Sequence, residues 1–254
     1  MEAIFLGTAT SQGIPVIACE CDVCKSKDPK DKRLRSSLLV KIKNKNFVID
    51  AGPDFRQQML RENVKTLRAI LLTHEHVDHV FGLDDIRSFN WLQKRAIDIY
   101  AERRVEEAIK RIFYYVFADS KYPGIPKMNI HNITESPFQV DGIKFIPIRC
   151  FHHKLPVMGF RVGNLTYITD ANFIPEEEMR KIKGTRVLII NALRKEKHIS
   201  HFNLAEALEV IDKIKPEKAY LTHLSHGFAL HTEIEKELPD NVFVGYDGLS
   251  IKVN

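Results

Sequence analysis

No stretch of this chain approaches the roughly 20 consecutive apolar residues that a membrane span requires. The opening residues, MEAIFLGTATSQG, carry no basic leader and only a short apolar run. They read as a strand and not as a signal peptide. Cysteine is scarce, with four in 254 residues; the expectation is a soluble cytoplasmic protein without disulfides. The charge imbalance is also small. A net charge of +5 suits an anionic small-molecule substrate and is too weak to argue for a nucleic-acid partner beyond nucleotides. There is one tryptophan, no exact internal repeat, no low-complexity tract and no linker-like segment. What remains is an ordinary globular composition, 44% hydrophobic and 28% charged. The length allows one large domain or two modest ones; with no linker, a single domain over residues 1–254 is expected.

Short apolar runs alternate with turn signals and amphipathic segments throughout. AIFLG, SSLLVKI, NFVIDAG and RAILLTH read as strands, and KNKN between Ile42 and Phe47 as a hairpin turn. PDFRQQMLREN has helical spacing. One long helix is expected over ERRVEEAIKRIFYYVFA, broken by DSKYPGIPKM. The second half repeats the alternation, with helices in NLAEALEVIDKI and ALHTEIEKEL and a last strand region in NVFVGYDGLSIKV. Strand-rich halves with interspersed helices predict an α/β (α+β) chain with helices outside two sheets, an αββα four-layer sandwich.

The strongest chemical signal is LLTHEHVDH. An apolar strand ends in His74, Glu75, His76, Val77, Asp78 and His79, with the four potential ligands His74, His76, Asp78 and His79 within six residues. His74 and His76 project together if the chain stays extended, while Asp78 and His79 turn away towards a helix. That arrangement suits two adjacent metals better than one. Imidazole serves zinc, iron and manganese, and a carboxylate suits a bridge. Cys19, Cys21 and Cys24 form a second cluster, spaced C-x-C-x-x-C. No thioredoxin-like βαβ unit follows, which disfavours a redox centre, and a catalytic thiol needs one cysteine, not three. A tetrahedral zinc staple needs a fourth ligand from elsewhere.

H-x-H-x-D-H after an apolar strand resembles the metallo-β-lactamase fold of metal-dependent hydrolases. VIDAGPD resembles that family's second motif, with Asp50 near the site; YITDAN, YLTHLSHG and RCFHHKLPVMGF resemble its later ligand segments. The resemblance implies one metal on His74, His76 and His152, another on Asp78, His79 and His223, and Asp170 bridging them. His152 is preferred over His153 because it precedes Lys154 by two residues, as in the relatives' H-x-K-L pattern. The metals are expected to be Zn²⁺ or Mn²⁺. Two cations about 3.5–4 Å apart lower the pKa of a shared water and offset transition-state charge. The resemblance also implies a leaving-group acid just before the NLAEAL helix, and His201 in HFNL fits it, while His198 reads as a solvated surface residue. With His223 assigned, His226 is the spare fourth ligand for a structural zinc on Cys19, Cys21 and Cys24. Cys150 is the competitor, in a strand where a buried apolar role is ordinary.

The triplet together with H-x-x-H resembles PhnP-type phosphodiesterases, which are similar to ribonuclease Z with an added Cys3His zinc. The resemblance implies hydrolysis of a small, cyclic phosphodiester, with Asp78 and His201 catalytic, in a homodimer that does not bind membranes. Rivals are a tRNA 3′-end nuclease, a thioester or lactone hydrolase, and a zinc-stabilised binding protein with a vestigial site. GLDDIRSFNWLQ and KYPGIPKMN are expected at substrate-facing loops. The basic run KSKDPKDKRLR is expected to be a solvated loop, Trp91 a core or interface packing residue, and Asp247 part of a turn.

Overall fold

The structure, a computed structural model, describes residues 1–119 and 123–254. Its described strands form two seven-stranded sheets. The first has the order β14-β1-β2-β3-β4-β5-β6. It comprises β1 (Glu2–Gly7), β2 (Ser37–Ile42), β3 (Lys45–Ile49), β4 (Ala69–Leu71), β5 (Ile97–Ala101), β6 (Met128–Asn132) and β14 (Ser250–Lys252). The second has the order β13-β12-β11-β10-β9-β8-β7. It comprises β7 (Phe138–Val140), β8 (Ile143–His152), β9 (Leu155–Val162), β10 (Leu165–Ile168), β11 (Val187–Asn191), β12 (Lys218–Thr222) and β13 (Val242–Val244). Each sheet is antiparallel on one side and parallel on the other: β3 to β6 are parallel neighbours, as are β10 to β13.

Strand alternation builds the layers. Ala3 and Phe5 of β1, Leu38 and Val40 of β2, and Phe47 and Ile49 of β3 point inward. There they meet Phe145, Phe160, Leu165, Tyr167 and Ile189 of the second sheet in a shared core. The intervening residues Ile4, Leu39, Val48 and Ile70 point outward onto α2 (Phe55–Arg61), α4 (Arg87–Gln93) and α5 (Arg103–Ile112). Leu188, Ile190 and Leu221 do the same for α7 (Glu176–Ile182), α8 (Leu204–Ile214) and α9 (His231–Ile234). Fully burying one such side chain contributes about 1.5–3 kcal/mol. The result is the expected αββα sandwich. Three short helices complete it: α1 (Asp22–Lys25), α3 (Val77–Val80) and α6 (Tyr114–Phe117).

Two expectations differ from the structure, and a third falls partly outside the described residues. The long helix is two: Phe113, at φ −106° and ψ 42°, leaves the helical region between α5 and α6 while its ring stays buried. The break expected at DSKYPGIPKM includes residues 120–122, which lie outside the described residues. NVFVGYDGLSIKV is not one strand region, because β13 joins the second sheet and β14 the first. The chain crosses between them at the YDG turn, where Asp247 is an internal anchor: it accepts hydrogen bonds from Thr8 Oγ1 at 2.8 Å and Leu34 N at 2.7 Å. The KNKN turn is as expected, with Lys43 and Asn44 both at positive φ, a pairing that matches the strand twist.

Candidate metal centres

The parallel strands of both sheets end at one edge, and their loops carry the ligand-type residues. After β4 the chain delivers His74 and His76, then Asp78 and His79 on α3. Asp170 follows β10, His223 follows β12, and β8 itself ends at His152. Asp50, Asp170 and His223 adopt positive φ of 65°, 53° and 56°. That conformation is uncommon for residues other than glycine and costs energy, so it marks positions where side-chain aim matters. Backbone packing holds α3 against the loop after β3. A Cβ on Gly52 would stand 1.9 Å from the Asp78 carbonyl oxygen, and one on Gly82 2.2 Å from that of Gly52. Only glycine admits this approach, which brings Ala51 N to His79 O at 2.8 Å.

The imidazoles converge, and four of them are held from behind. His79 Nδ1 donates to Asp50 Oδ2 at 2.7 Å, and Asp50 is itself fixed by Thr73 N and Oγ1 at 2.8 and 2.9 Å. His152 Nδ1 donates to the Ser200 carbonyl at 2.8 Å. His223 Nδ1 lies 3.1 Å from Ser36 Oγ, and His74 Nδ1 lies 2.9 Å from Thr73 Oγ1. The opposite nitrogens therefore face one another. His74 Nε2 is 2.9 Å from His76 Nδ1, and His223 Nε2 is 3.2 Å from Asp170 Oδ1. The rings of His76 and His152 are 5.3 Å apart. Outer partners of this kind fix the tautomer and orientation of metal-binding histidines.

One atom shows that the cluster suits cations. His79 Nε2 is shut off from solvent and has no hydrogen-bond partner among the described residues. It nevertheless lies 3.2 Å from Asp78 Oδ2 and 3.1 Å from Asp170 Oδ2. With the proton on Nδ1, its lone pair faces two carboxylates, an arrangement that repels unless a cation or proton lies between them. The electrostatics agree. Burial pulls His79 down, but Asp50, Asp170 and Asp78 outweigh it and hold the imidazole well above its ordinary pKa. Burial likewise works to raise Asp170, yet His223, His79 and His74 keep it well below the usual carboxylate range. His74 is driven well below its ordinary value, chiefly by burial. A region that draws a proton onto a buried imidazole this strongly can hold divalent metal in its place. His74, His79 and Asp170 offer ligand atoms close enough to share one ion, and so do His152, Asp170 and His201.

The cysteine cluster is separate. Cys19, Cys21 and Cys24 meet His226, with all four ligand atoms within 4.8 Å of one another. His226 Nδ1 is 3.2 Å from Cys19 Sγ and 3.5 Å from Cys21 Sγ. A tetrahedral zinc with ordinary Zn–S and Zn–N bonds gives an S···N edge of about 3.5 Å. Cys24 N donates to Cys21 Sγ, the main influence lowering that thiol to about 6. Cys150 sits in the core beneath α7 and α8, its thiol raised by burial to about 12.

The family model described as "Beta-lactamase superfamily domain" matches residues 45–224, the span that carries all the ligand-type histidines except His226. The chain belongs to the beta-lactamase superfamily. A crystal structure of a diphosphatase from the PhnP family superposes on this superfamily member with a TM-score of 0.92. It is 36% identical, covering 100% of this chain and 98% of that one. A protein of Porphyromonas gingivalis named octanoyltransferase is 42% identical over 252 residues, 98% of this chain and 51% of that protein. A ribonuclease Z of Thermosynechococcus vestitus is 26% identical over 166 residues, 64% of this chain and 36% of that protein. This chain spans about half the length, or less, of the curated relatives it matches.

In this metallo-β-lactamase-fold chain His76, Asp78, His152, Asp170 and His223 open onto a cavity of about 430 Å³. Its wall includes residues that the sequence had not singled out. Ser11, Gln12 and Ser225 lie on one side, and the loop between β11 and α8 adds Arg194 beside His198 and the expected His201. Asn203 and Glu206 close a capping box that fixes where this loop enters α8. The His201 ring is 4.4 Å from that of His152 and 4.9 Å from that of His223. Burial first, then His223, pushes its pKa down to about 3. His153 lies outside the cluster: its side chain is exposed and its backbone N binds Asn172 Oδ1.

Other expectations need correction. His198 belongs to the cavity wall and not to a solvated surface. GLDDIRSFNWLQ and the described part of KYPGIPKMN line a separate, larger groove of about 910 Å³. None of the ligand-type residues borders it, so it is not the cavity described above. Trp91, in that groove, is 85% exposed, which rules out the core half of its expected core or interface packing. Arg33 of the basic run is buried, donating to Thr8 Oγ1 and the Gly245 carbonyl. Asp50 was placed near the site by its VIDAG motif; Thr73, Ser36 and Ser200, which carry no motif signal, were missed as supports.

Proposed function

We propose that this chain is a phosphodiesterase acting on a small, cyclic phosphodiester through two divalent metals, with residues 1–254 working as one domain in the cytoplasm. His74, His76 and His152 would hold one ion and Asp78, His79 and His223 the other, with Asp170 serving both. Zn²⁺ and Mn²⁺ both suit these donors. Cys19, Cys21, Cys24 and His226 hold a third, structural Zn²⁺. The observation that carries the reading is the buried, partnerless His79 Nε2 facing two carboxylates at the centre of converging imidazoles. The similarity to a PhnP-family diphosphatase supports phosphoryl chemistry. Bound there, such ions lower the pKa of water and offset charge on phosphoryl oxygens.

The chain's own residues supply the rest. Asp50, Ser200 and Ser36 hold the ligating imidazoles in one tautomer and orientation. Arg194, half-exposed in the wall, meets the negative charge of the diester. His201, against His152 and His223, hands a proton to the departing alkoxide oxygen; the substrate's negative charge raises the imidazole's proton affinity as it binds. The test is metal-dependent hydrolysis of bis(p-nitrophenyl) phosphate, lost in Asp78→Ala with the circular dichroism spectrum unchanged. Wild-type protein that turns over no phosphodiester with any divalent metal overturns the proposal.

One observation favours a second reading, hydrolysis of a carboxylic acyl bond: the 42% identical relative is named octanoyltransferase. The same residues can serve attack at an acyl carbon. Faster metal-dependent turnover of p-nitrophenyl octanoate than of bis(p-nitrophenyl) phosphate selects that reading.

A further inference from the structure

The function above leaves Glu75 unexplained, although it stands between two proposed ligands. It does not join the histidine cluster. Its carboxylate pairs with Arg104 Nη1 at the start of α5. Arg104 Nη2 donates to the carbonyl of Pro156 on β9. Pro156 is the neighbour of Leu155, which pairs across the hairpin with His152. Arg104 therefore grips the His74–His76 loop of the first sheet and the His152 hairpin of the second.

A second link runs alongside. Glu102, the residue before α5, lies 3.8 Å from Arg104 and receives both Nη groups of Arg149, at 2.9 and 2.5 Å. Arg149 lies three residues before His152 on β8. By alternation it shares the inward face of that strand with Phe145 and so reaches towards the first sheet. Arg149 also binds Glu135 through Nε at 3.0 Å, and its backbone N donates to Glu178 at 2.6 Å. Between these links the two sheets share a backbone bond, Met158 N to Thr73 O at 3.0 Å. The four side chains of the ladder are only 13–33% exposed. Alternating charges that are mostly shielded from solvent, with the Arg149–Glu102 pair bidentate, have better fixed geometry than ordinary surface pairs.

Resting on the metal-site assignment above, we infer that the ladder Glu75–Arg104–Glu102–Arg149 is an inter-sheet tie that sets the spacing between His74 and His76 on one sheet and His152 on the other. Arg104 is then a positioning residue for one of the two metal pockets. A tie of this kind acts on one pocket and spares the other, whose ligands Asp78, His79 and His223 it does not touch.

The test uses full-length protein loaded with Zn²⁺ and titrated with a competing chelator. In Arg104→Gln one active-site ion is expected to bind about tenfold more weakly, within the range seen for outer-partner losses. The second active-site ion and the cysteine-site zinc keep wild-type affinity. For bis(p-nitrophenyl) phosphate, kcat falls about tenfold and KM changes less than threefold. Glu75→Gln gives the same pattern, no stronger than Arg104→Gln because Arg104 keeps its bond to the Pro156 carbonyl, and the Glu75→Gln/Arg104→Gln double variant is no worse than Arg104→Gln, which already loses the Glu75 contact. The charge-exchanged Glu75→Arg/Arg104→Glu protein recovers part of the lost affinity. A lowered melting temperature with all three ion affinities at wild-type values, or additive losses in the double variant, overturns the inference. Wild-type protein that binds no ion at the histidine cluster overturns the metal-site assignment itself.

Discussion

Replacing His226 with alanine removes the fourth ligand of the proposed structural zinc, and the structure indicates how far the damage spreads. Thr8 and Thr10 are already bonded to Leu224, through Leu224 N to Thr8 O at 2.8 Å and Thr10 N to Leu224 O at 3.2 Å. The sheets thus stay joined without the metal, and the zinc has only the loop beyond Thr10 to order. That loop, from Pro15 to Lys30, is roughly sixteen residues, and fixing it costs about 16 kcal/mol at about 1 kcal/mol per residue. Its fully buried apolar content is small: Val23, with Ile14 just before it. Together these contribute about 3–6 kcal/mol. A structural zinc contributes about 10–16 kcal/mol, so the loop is ordered with the ion and open without it. Limited trypsin digestion reads this directly, because Lys25, Lys27 and Lys30 lie within the loop. In His226→Ala the expected result is loss of one zinc per chain and at least a hundredfold faster cleavage at these lysines, with the two sheets still folded by circular dichroism. His226→Cys should keep both the ion and the protection. Unchanged zinc content and an unchanged tryptic pattern in His226→Ala would refute the reasoning, whatever happens to thermal stability.

His201→Ala should slow diesters with poor alkoxide leaving groups at least a hundredfold and nitrophenyl esters less than tenfold; equal losses on both rule out a proton donor. Arg194→Ala should raise KM for bis(p-nitrophenyl) phosphate about tenfold, with the effect shrinking at high salt; a salt-independent effect points away from charge. Asp247 gives a pH test. Burial raises its carboxyl to about 6, so between about pH 4 and pH 6 the native state binds the proton that the unfolded state releases. Stability should therefore fall as pH rises through this window, by about 2–3 kcal/mol relative to Asp247→Asn. Urea melts at pH 4.5 and pH 7 measure the difference, and a pH-independent difference contradicts it.

The parts of the site legible in sequence were those that carry chemistry in consecutive residues. H-x-H-x-D-H is dense enough to stand out, and the strand before it determines which way its histidines project. His152, Asp170 and His223 needed a resemblance, since single residues at strand ends have no local pattern. Supports contributed by backbone, such as the Ser200 carbonyl behind His152, leave no trace in side-chain identity. Periodicity also failed where tertiary packing overrode it. The α5–α6 run is apolar at helical spacing, yet the chain turns at Phe113. Trp91 is a core-type residue left in solvent on α4. β13 and β14 read as one stretch but serve different sheets, because the Asp247 turn is anchored from the N-terminal segment. Arg33 looked like one more loop cation and is a buried donor; only the fold supplies its partners, Thr8 and Gly245.

Metal stoichiometry measured together with turnover tests the account most directly. Protein stripped of metal, then titrated with Mn²⁺ after zinc has been restored to the cysteine site, should bind two further ions per chain. Hydrolysis of bis(p-nitrophenyl) phosphate should appear with them, and Asp170→Ala should lose both the bridged pair and the activity. Binding of no ion beyond the cysteine-site zinc, or hydrolysis that persists without metal, contradicts a two-metal phosphodiesterase.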